Sequence, residues 1–334
     1  MDILFTLDYE LFLGSRTGSV ENCLIRPLNA YLERVSKYGV KFTIFVDATY
    51  LFKLKEYSEI YPKANDDYLK IVSHIKKLDE DGHDIQLHIH PHWYFSKYDG
   101  EQWELDHKHY KLSDLSLKEA EIIFSSAKDL LDQIIGKPTI VFRAGGFSAQ
   151  PTRLLTHLFK QNGIKIDSSV CPGNIYNSMQ QQYDYKGCPT LDVYNFQDDI
   201  CKENRVGEFM EIPITMYKIS PLFYWKYVFT RLFKMKKHRT FGDGYGVKAT
   251  GESIKERLLK FTSTMATIDG FKISFLKKIY SKRASQDGII CILGHPKLAT
   301  EYSVSKIDEF CALATKNGTN FLTISQLTKE KYNE

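Results

Sequence analysis

Short apolar segments alternate with amphipathic segments along most of the chain, and this alternation predicts parallel strands joined by helices. The predicted strands are rich in β-branched and aromatic residues and lie at residues 3–7, 41–47, 84–88, 139–142, 164–166, 209–214, 288–293 and 321–324. The predicted helices lie at residues 21–37, 66–81, 116–135, 151–162 and 305–316. We therefore expect an α/β fold with seven or eight parallel strands.

Two regions do not follow this alternation. Residues 168–208 show little periodicity, so we interpret them as long loops. Residues 220–239 are aromatic and increasingly basic, within an aromatic and basic insertion at about 217–246. They predict an amphipathic helix, which is suited to an anionic membrane surface, although such a helix is more often a lid or a dimer face.

Composition narrows the class of protein. The chain carries 45 basic and 41 acidic side chains, mostly interspersed, and a formal net charge of +4, which does not favour nucleic-acid binding. Its six cysteines form no CxxC pair, which indicates reduced thiols. No secretion signal and no run of eighteen apolar residues is visible. We expect a cytoplasmic protein, with peripheral contact to the inner membrane face through residues 220–239.

The segment from Gly82 to Trp93 holds four of the chain's ten histidines, at the end of a predicted strand. Neutral imidazole is a common ligand for zinc and similar metals, and several imidazoles in one short segment supply two ligands with little loop to order. A metal site is therefore the first functional hypothesis.

Ionisable side chains also follow the other predicted strands. The candidates are Asp8, Glu10, His88, His90, His92, Arg143, Asp167 and His295. In a barrel of parallel strands these strand ends open onto one face, where catalytic groups lie. Asp8 and Glu10 are two apart and share a face of a strand, so that one can bind a metal while the other accepts a proton from water. The second imidazole ligand is either His90 or His92.

Five segments together resemble the motifs of one enzyme family. They are Thr6-Leu7-Asp8-Tyr9-Glu10, Gly82-His83-Asp84-Ile85 with His88 to His92, Arg143-Ala144-Gly145-Gly146-Phe147-Ser148, Asp167-Ser168-Ser169-Val170 and Leu293-Gly294-His295-Pro296. Their order resembles that of the polysaccharide deacetylase superfamily (NodB-like, carbohydrate esterase family 4). Each motif alone is weak, but the combination is specific and covers roughly residues 1 to 325.

The resemblance implies a distorted (β/α)7 barrel forming a single domain over residues 1–334, with long loops at the C-terminal ends of the strands. It also implies a catalytic base at Asp8, an arginine that orients this base at Arg143 and a general acid at His295. Asp167 is expected to support Arg143. The usual metal pair matches His88 and His92, and the His-x-His-Pro sequence makes His90 an equal candidate. Tyr9 replaces the second aspartate of the common pattern, so Glu10 is assigned to the metal.

The resemblance further implies a metal-dependent hydrolase, with Zn²⁺ as the expected ion and Co²⁺, Ni²⁺ or Mn²⁺ as alternatives. Such an enzyme removes an N-acetyl or other N-acyl group from a sugar or glycan intermediate. A deformylase, a non-sugar amidase of the allantoinase kind and a metal-free glycan-binding pseudoenzyme are the alternatives. For the enzyme, we expect a bell-shaped pH profile with Asp8 on the acid limb and His295 on the alkaline limb.

Overall fold

The computed structural model describes residues 1–246, 251–283 and 288–332. The strands, in chain order, are β1 (Asp2–Tyr9), β2 (Thr43–Asp47), β3 (Asp84–Ile89), β4 (Lys97–Tyr98), β5 (Trp103–Glu104), β6 (Val141–Ala144), β7 (Ile166–Asp167), β8 (Ile175–Asn177), β9 (Gln182–Asp184), β10 (Tyr194–Phe196), β11 (Phe209–Glu211), β12 (Met216–Ile219), β13 (Thr262–Met265), β14 (Ile289–Gly294) and β15 (Asn320–Leu322). The α-helices are α1 (Arg26–Val35), α2 (Ala48–Ser58), α3 (Pro62–Glu80), α4 (His92–Phe95), α5 (Leu117–Ile135), α6 (Thr152–Asn162), α7 (Pro221–Leu232), α8 (Gly251–Leu259), α9 (Leu276–Arg283), α10 (Glu301–Lys316) and α11 (Ile324–Tyr332).

The chain divides into two compact units. The first unit comprises Met1–Lys41 and Thr215–Leu322. In it, β1 lies between the parallel strands β14 and β15, with Leu7 opposite Gly294. Phe5 of β1 packs against Phe310 and Phe321, which lie on α10 and β15. The apolar β1 and β14 are therefore the centre of this unit, and their C-terminal ends coincide.

The second unit comprises Phe42–Ile214 and Thr323–Glu334. Its strands run in the order β2, β3, β6, β7, β11 and β10, and each neighbouring pair is parallel except β10 with β11. A cluster of buried aromatic rings, Phe124, Phe142 and Phe159, joins β6 to the helices α5 and α6. This packing fixes the ends of β3 and β6, which carry candidate site residues.

All eight predicted strands are present, which confirms the α/β class. The first strand extends further than predicted, so that Asp8 lies within β1. Ser116 and Glu119 form the capping box that begins α5. Part of residues 168–208 forms β8, β9 and β10 rather than loops, and the aromatic segment at 220–239 contains α7. The expected single domain over residues 1–334 stays a prediction.

None of the described helices combines the length and the apolar composition that a membrane span requires.

The cysteine prediction is wrong for two of the six residues. Cys188 and Cys201 form a disulfide, whereas Cys23, Cys171, Cys291 and Cys311 are buried thiols. The two partners are 13 residues apart in an irregular region, where spacing carries no signal for their contact.

We expect the paired substitutions Cys188→Ser and Cys201→Ser to lower the free energy of unfolding by about 3 kcal/mol, because the disulfide closes a short loop in the unfolded chain. Urea unfolding with and without reductant measures the effect, and reductant should not further destabilise the double variant. Labelling of six thiols in the unreduced, denatured protein would contradict the disulfide.

Candidate active site

The predicted site residues fall into two parts, a first half in the first unit and a second half in the second unit. Asp8, Glu10 and His295 belong to the first unit, whereas His88, His90, His92, Arg143 and Asp167 belong to the second. All are buried except His295, whose side chain is 16% exposed. Burial of so many ionisable groups is costly unless they are paired or hydrogen-bonded, so each one requires a partner.

In the first half, His295 is held by a carboxylate that the sequence analysis missed. The Nδ1–H of His295 donates to Oδ2 of Asp269 at 2.8 Å, and the backbone N–H of His295 donates to Oδ1 at 2.7 Å. These two hydrogen bonds fix the orientation of the ring. Its Nε2 then lies 3.6 Å from Oδ2 of Asp8 and 3.7 Å from Oε1 of Glu10.

The charges around His295 favour its protonated form. Burial by itself would lower the pKa of His295, but the charge of Asp269 and its hydrogen bond, with the charges of Asp8 and Glu10, raise it above the usual value. Burial would likewise raise the pKa of Asp269, yet His295 holds it below its usual value. The largely buried pair of His295 and Asp269 therefore faces two further carboxylates, those of Asp8 and Glu10.

Lys297 is a second cation in this half that the sequence analysis missed. Its Nζ donates to Oε1 of Glu10 at 2.9 Å and to the carbonyl oxygen of Leu11 at 2.7 Å. Gly294 makes the approach of the strands possible, because a Cβ there would lie 2.5 Å from Cδ2 of Leu7 and 2.6 Å from Cγ1 of Ile268. The close contact of β1 with β14 places His295 beside the end of β1.

In the second half, His88 has a defined tautomer. Its Nδ1 lies 2.8 Å from the carbonyl oxygen of Arg143. A carbonyl oxygen only accepts, so Nδ1 carries the hydrogen and a neutral His88 presents the lone pair of Nε2. This arrangement is typical of a histidine that ligates a metal through Nε2.

His90 follows β3 and is held by its backbone. The hydroxyl of Thr49 lies 3.0 Å from the nitrogen and 2.9 Å from the carbonyl oxygen of His90. A Cβ at Gly145 would lie 2.7 Å from Nδ1 of His90, so only glycine leaves room for this ring. The ring centroids of His88 and His90 are 4.8 Å apart. These two imidazoles are thus neighbours that can serve one ion.

His92 begins the single turn α4 and lies in an aromatic stack. Its ring is nearly parallel to that of Tyr110, with centroids 4.3 Å apart and an interplanar angle of 7°. The ring of Trp93 is also close, at 5.2 Å. The centroid of His90 is 5.5 Å away. The structure therefore pairs His88 with His90 more closely than His90 with His92.

Arg143 and Asp167 are completely buried. The guanidinium of Arg143 donates to the carbonyl oxygen of Ser168 at 2.7 Å and to its hydroxyl at 3.0 Å, and it lies over the ring of Phe45. Burial raises the pKa of Asp167, even though hydrogen bonds with Glu211 and Ser169 and the charge of Arg143 act in the opposite direction. The support of Arg143 by Asp167 stays a prediction.

Two of the missed residues carried a signal in the sequence. Asp269 directly follows the mostly apolar run Met265-Ala266-Thr267-Ile268, and Glu211 lies within the predicted strand 209–214. Asp269 therefore resembles the strand-end pattern that identified Asp8 and His295, whereas Glu211 is an ionisable residue inside a predicted strand. Lys297 carried no such signal, because its contact with Glu10 depends on the turn after β14.

No protein-family profile matches the chain, and no curated protein matches it in sequence. Solved structures match over nearly its full length, and they show that the chain has the distorted barrel fold of the polysaccharide deacetylases. A protein of Mycobacterium smegmatis assigned as a polysaccharide deacetylase superposes with a TM-score of 0.55 at 14% identity, with 98% of this chain and 89% of that chain covered.

Two further structures support the same fold. A protein of Pseudomonas aeruginosa PAO1 assigned as a polysaccharide deacetylase has a TM-score of 0.51 at 11% identity, with 100% and 92% of the two chains covered. Puue allantoinase also has a TM-score of 0.51, at 13% identity, with 100% and 91% covered. The resemblance seen in the sequence motifs is therefore confirmed at the level of the fold.

Proposed function

We propose that the chain is a metal-dependent hydrolase that removes an N-acetyl or other N-acyl group from a sugar or glycan intermediate. The observation that carries the proposal is the geometry around His295, which is held by Asp269 and has its Nε2 3.6 Å from Oδ2 of Asp8. Cleavage of an amide needs a group that protonates the leaving nitrogen and another that removes a proton from water. His295 and Asp8 are suited to these two tasks.

In this reaction the oxygen of water adds to the acyl carbon, and Asp8 accepts the proton that the water loses. The C–N bond then breaks while His295 gives its Nε2 proton to the nitrogen, so that a carboxylic acid and an amine are formed. Asp269 keeps His295 oriented throughout, because it holds Nδ1 and the backbone N–H of the same residue, and its charge favours the protonated form of His295 until the proton is given up. Arg143 is proposed to orient Asp8, as the resemblance implies.

We further propose that Glu10, His88 and His90 hold the metal ion. Each is buried and offers one ligand atom. Two imidazole nitrogens and one carboxylate oxygen are a donor set suited to zinc, and the tautomer of His88 leaves Nε2 as its donor. A bound divalent ion would polarise the acyl carbonyl and lower the pKa of a bound water. Zn²⁺ is the proposed ion, with Co²⁺, Ni²⁺ and Mn²⁺ to be compared.

The test is acid release from a panel of amides by the full chain, loaded with each of these metals in turn. The panel contains N-acetylglucosamine oligomers, their N-formyl analogues and allantoin. We expect acetate release from the acetylated sugars, with a rate at least about 100-fold lower for Asp8→Asn, which keeps the shape of the side chain but is a poor proton acceptor.

The other outcomes separate the alternatives. Release of formate alone would mean that the acyl group is formyl rather than acetyl, with the same type of reaction. Hydrolysis of allantoin alone would contradict the proposal that the substrate is a sugar. Binding of the sugars without turnover under any metal, equally in the wild type and Asp8→Asn, would indicate a glycan-binding pseudoenzyme.

A further inference from the structure

The outer side of α7 carries a stripe of exposed apolar residues. Leu222, Trp225, Phe229 and Leu232 recur at helical spacing and are exposed, and Phe233 directly after the helix is 73% exposed. Isolated exposed apolar residues are common on soluble proteins, but a continuous stripe of large ones marks a surface that contacts something other than water.

This stripe is not needed to attach α7 to its own unit. Phe223, on the inner side of the helix, is buried, with its ring 5.2 Å from that of Phe271 and 4.8 Å from that of Phe275. The helix is thus apolar on its inner and its outer side. Helices with this property normally lie inside a core or against lipid.

The neighbouring helix α8 adds to the same region. The indole N–H of Trp225 donates to the carbonyl oxygen of Leu258 at 3.1 Å, which holds the end of α8 beside α7. Ile254 and Leu259 of α8 and the following Phe261 are also exposed. We call the exposed apolar residues of both helices and their C-terminal extensions the α7–α8 surface; they are Leu222, Trp225, Phe229, Leu232, Phe233, Met235, Ile254, Leu259 and Phe261.

The charge of α7 and the residues that flank it is strongly one-sided, whereas α8 carries Glu252 and Glu256 beside its own basic residues. Residues 212–242 contain no aspartate or glutamate, and their basic residues are Lys218, Lys226, Arg231, Lys234, Lys236, Lys237 and Arg239. The chain as a whole has nearly balanced charges, with 45 basic and 41 acidic residues. The cations are therefore concentrated beside the exposed aromatic rings, and several of them, Lys226, Lys234, Lys236 and Lys237, are exposed.

From this combination we propose that the α7–α8 surface docks on an anionic lipid membrane. Aromatic and aliphatic side chains enter the interface between headgroups and acyl chains, while lysines beside them attract anionic headgroups. A second copy of this chain is a poorer occupant, because a symmetric dimer would bring two sets of cations together. The lack of acidic residues in residues 212–242 likewise favours a partner that is itself anionic.

A cavity of about 420 Å³ lies at the same place in the first unit. Its lining includes Phe223, Val228, Ile254, Leu258 and Phe271, and Asp269 also contributes. Asp269 is the residue that holds His295. Docking through the α7–α8 surface would therefore bring the membrane close to the proposed general acid.

The test is co-sedimentation of the full chain with vesicles containing about 30% phosphatidylglycerol in phosphatidylcholine, compared with phosphatidylcholine alone. Activity is not measured, so a failure of the proposed function does not affect the result. We expect binding to the anionic vesicles, reduced at least about tenfold on neutral vesicles or when NaCl is raised from about 0.1 to about 1 M.

Two variants address the two parts of the surface. The triple variant Lys234→Glu, Lys236→Glu, Lys237→Glu is expected to reduce vesicle binding by about 100-fold. Its matched control is Lys70→Glu, Lys76→Glu, Lys77→Glu on α3, with the same change in net charge and unchanged binding. The double variant Phe229→Ser, Phe233→Ser is expected to reduce binding by about tenfold or more. Its control is Ile60→Ser, Leu69→Ser, at two exposed apolar residues elsewhere.

The proposal is overturned if the chain does not bind anionic vesicles. It is equally overturned if the triple variant of Lys234, Lys236 and Lys237 binds these vesicles as well as its control on α3 does. It is also overturned if light scattering shows a dimer that Phe229→Ser, Phe233→Ser dissociates while vesicle binding is absent, since the surface would then join two copies of the chain. The charge-reversal variants change exposed residues only, so they decide the question even if the phenylalanine variant fails to fold.

Discussion

The His88→Ala variant is expected to lose zinc binding and hydrolase activity together, whereas His92→Phe should keep both. His88 presents its Nε2 lone pair because Nδ1 donates to the carbonyl oxygen of Arg143, and alanine removes this donor. His92 stacks on Tyr110, and phenylalanine preserves a flat ring at that position. We expect zinc affinity to fall at least about 100-fold in His88→Ala and in His90→Ala. Removal of a metal ligand costs more affinity than removal of a residue that only orients a ligand.

Titration calorimetry with Zn²⁺ measures the affinity directly, independently of turnover. Loss of zinc in His92→Phe, with normal affinity in His90→Ala, would assign the second imidazole ligand to His92 and contradict our proposal. The same assay separates the two carboxylates. Glu10→Gln should weaken zinc binding, whereas Asp8→Asn should bind zinc and still be inactive, because Asp8 is proposed to accept a proton and Glu10 to ligate the ion.

The strands could be predicted because each is a short apolar segment between amphipathic ones. The candidate site residues could be predicted because an ionisable residue at a strand end is visible in the local sequence and does not depend on distant contacts. The proposed choice of His90 over His92 could not be made in this way. Both follow the same strand, and what distinguishes them is tertiary: Thr49 and Gly145 surround His90, while Tyr110 stacks on His92.

Helix α2 was not predicted because Lys53 and Lys55 interrupt its apolar residues, so that the helical period is weak. The short strands within residues 168–208 and the disulfide between Cys188 and Cys201 are set by packing rather than by local pattern. The same holds for the contact of Lys297 with Glu10. Asp269 is different, because the mostly apolar run before it resembles the runs that precede the other ionisable residues at strand ends.

Substitution of Asp269 by asparagine is expected to move the alkaline limb of the pH–rate profile to lower pH. His295 must be protonated to act as the acid, so activity is lost as pH rises through its pKa. In the wild type burial is the largest single effect on this pKa and lowers it, but the charge and hydrogen bond of Asp269 together with the charges of Asp8 and Glu10 raise the pKa above its usual value. Asparagine can still accept a hydrogen bond but has no charge, so burial would dominate and lower the pKa of His295.

The expected loss is therefore largest at alkaline pH and smallest at acidic pH, where His295 is protonated in both proteins. Asp308→Asn is a suitable control, because Asp308 pairs with Lys37 at the surface and its loss should leave both limbs unchanged. His295→Gln should remove the alkaline limb and lower kcat by about 100-fold to 10,000-fold. If Asp269→Asn lowers the rate equally at every pH, Asp269 only orients the ring, and the group that titrates on the alkaline limb is not His295.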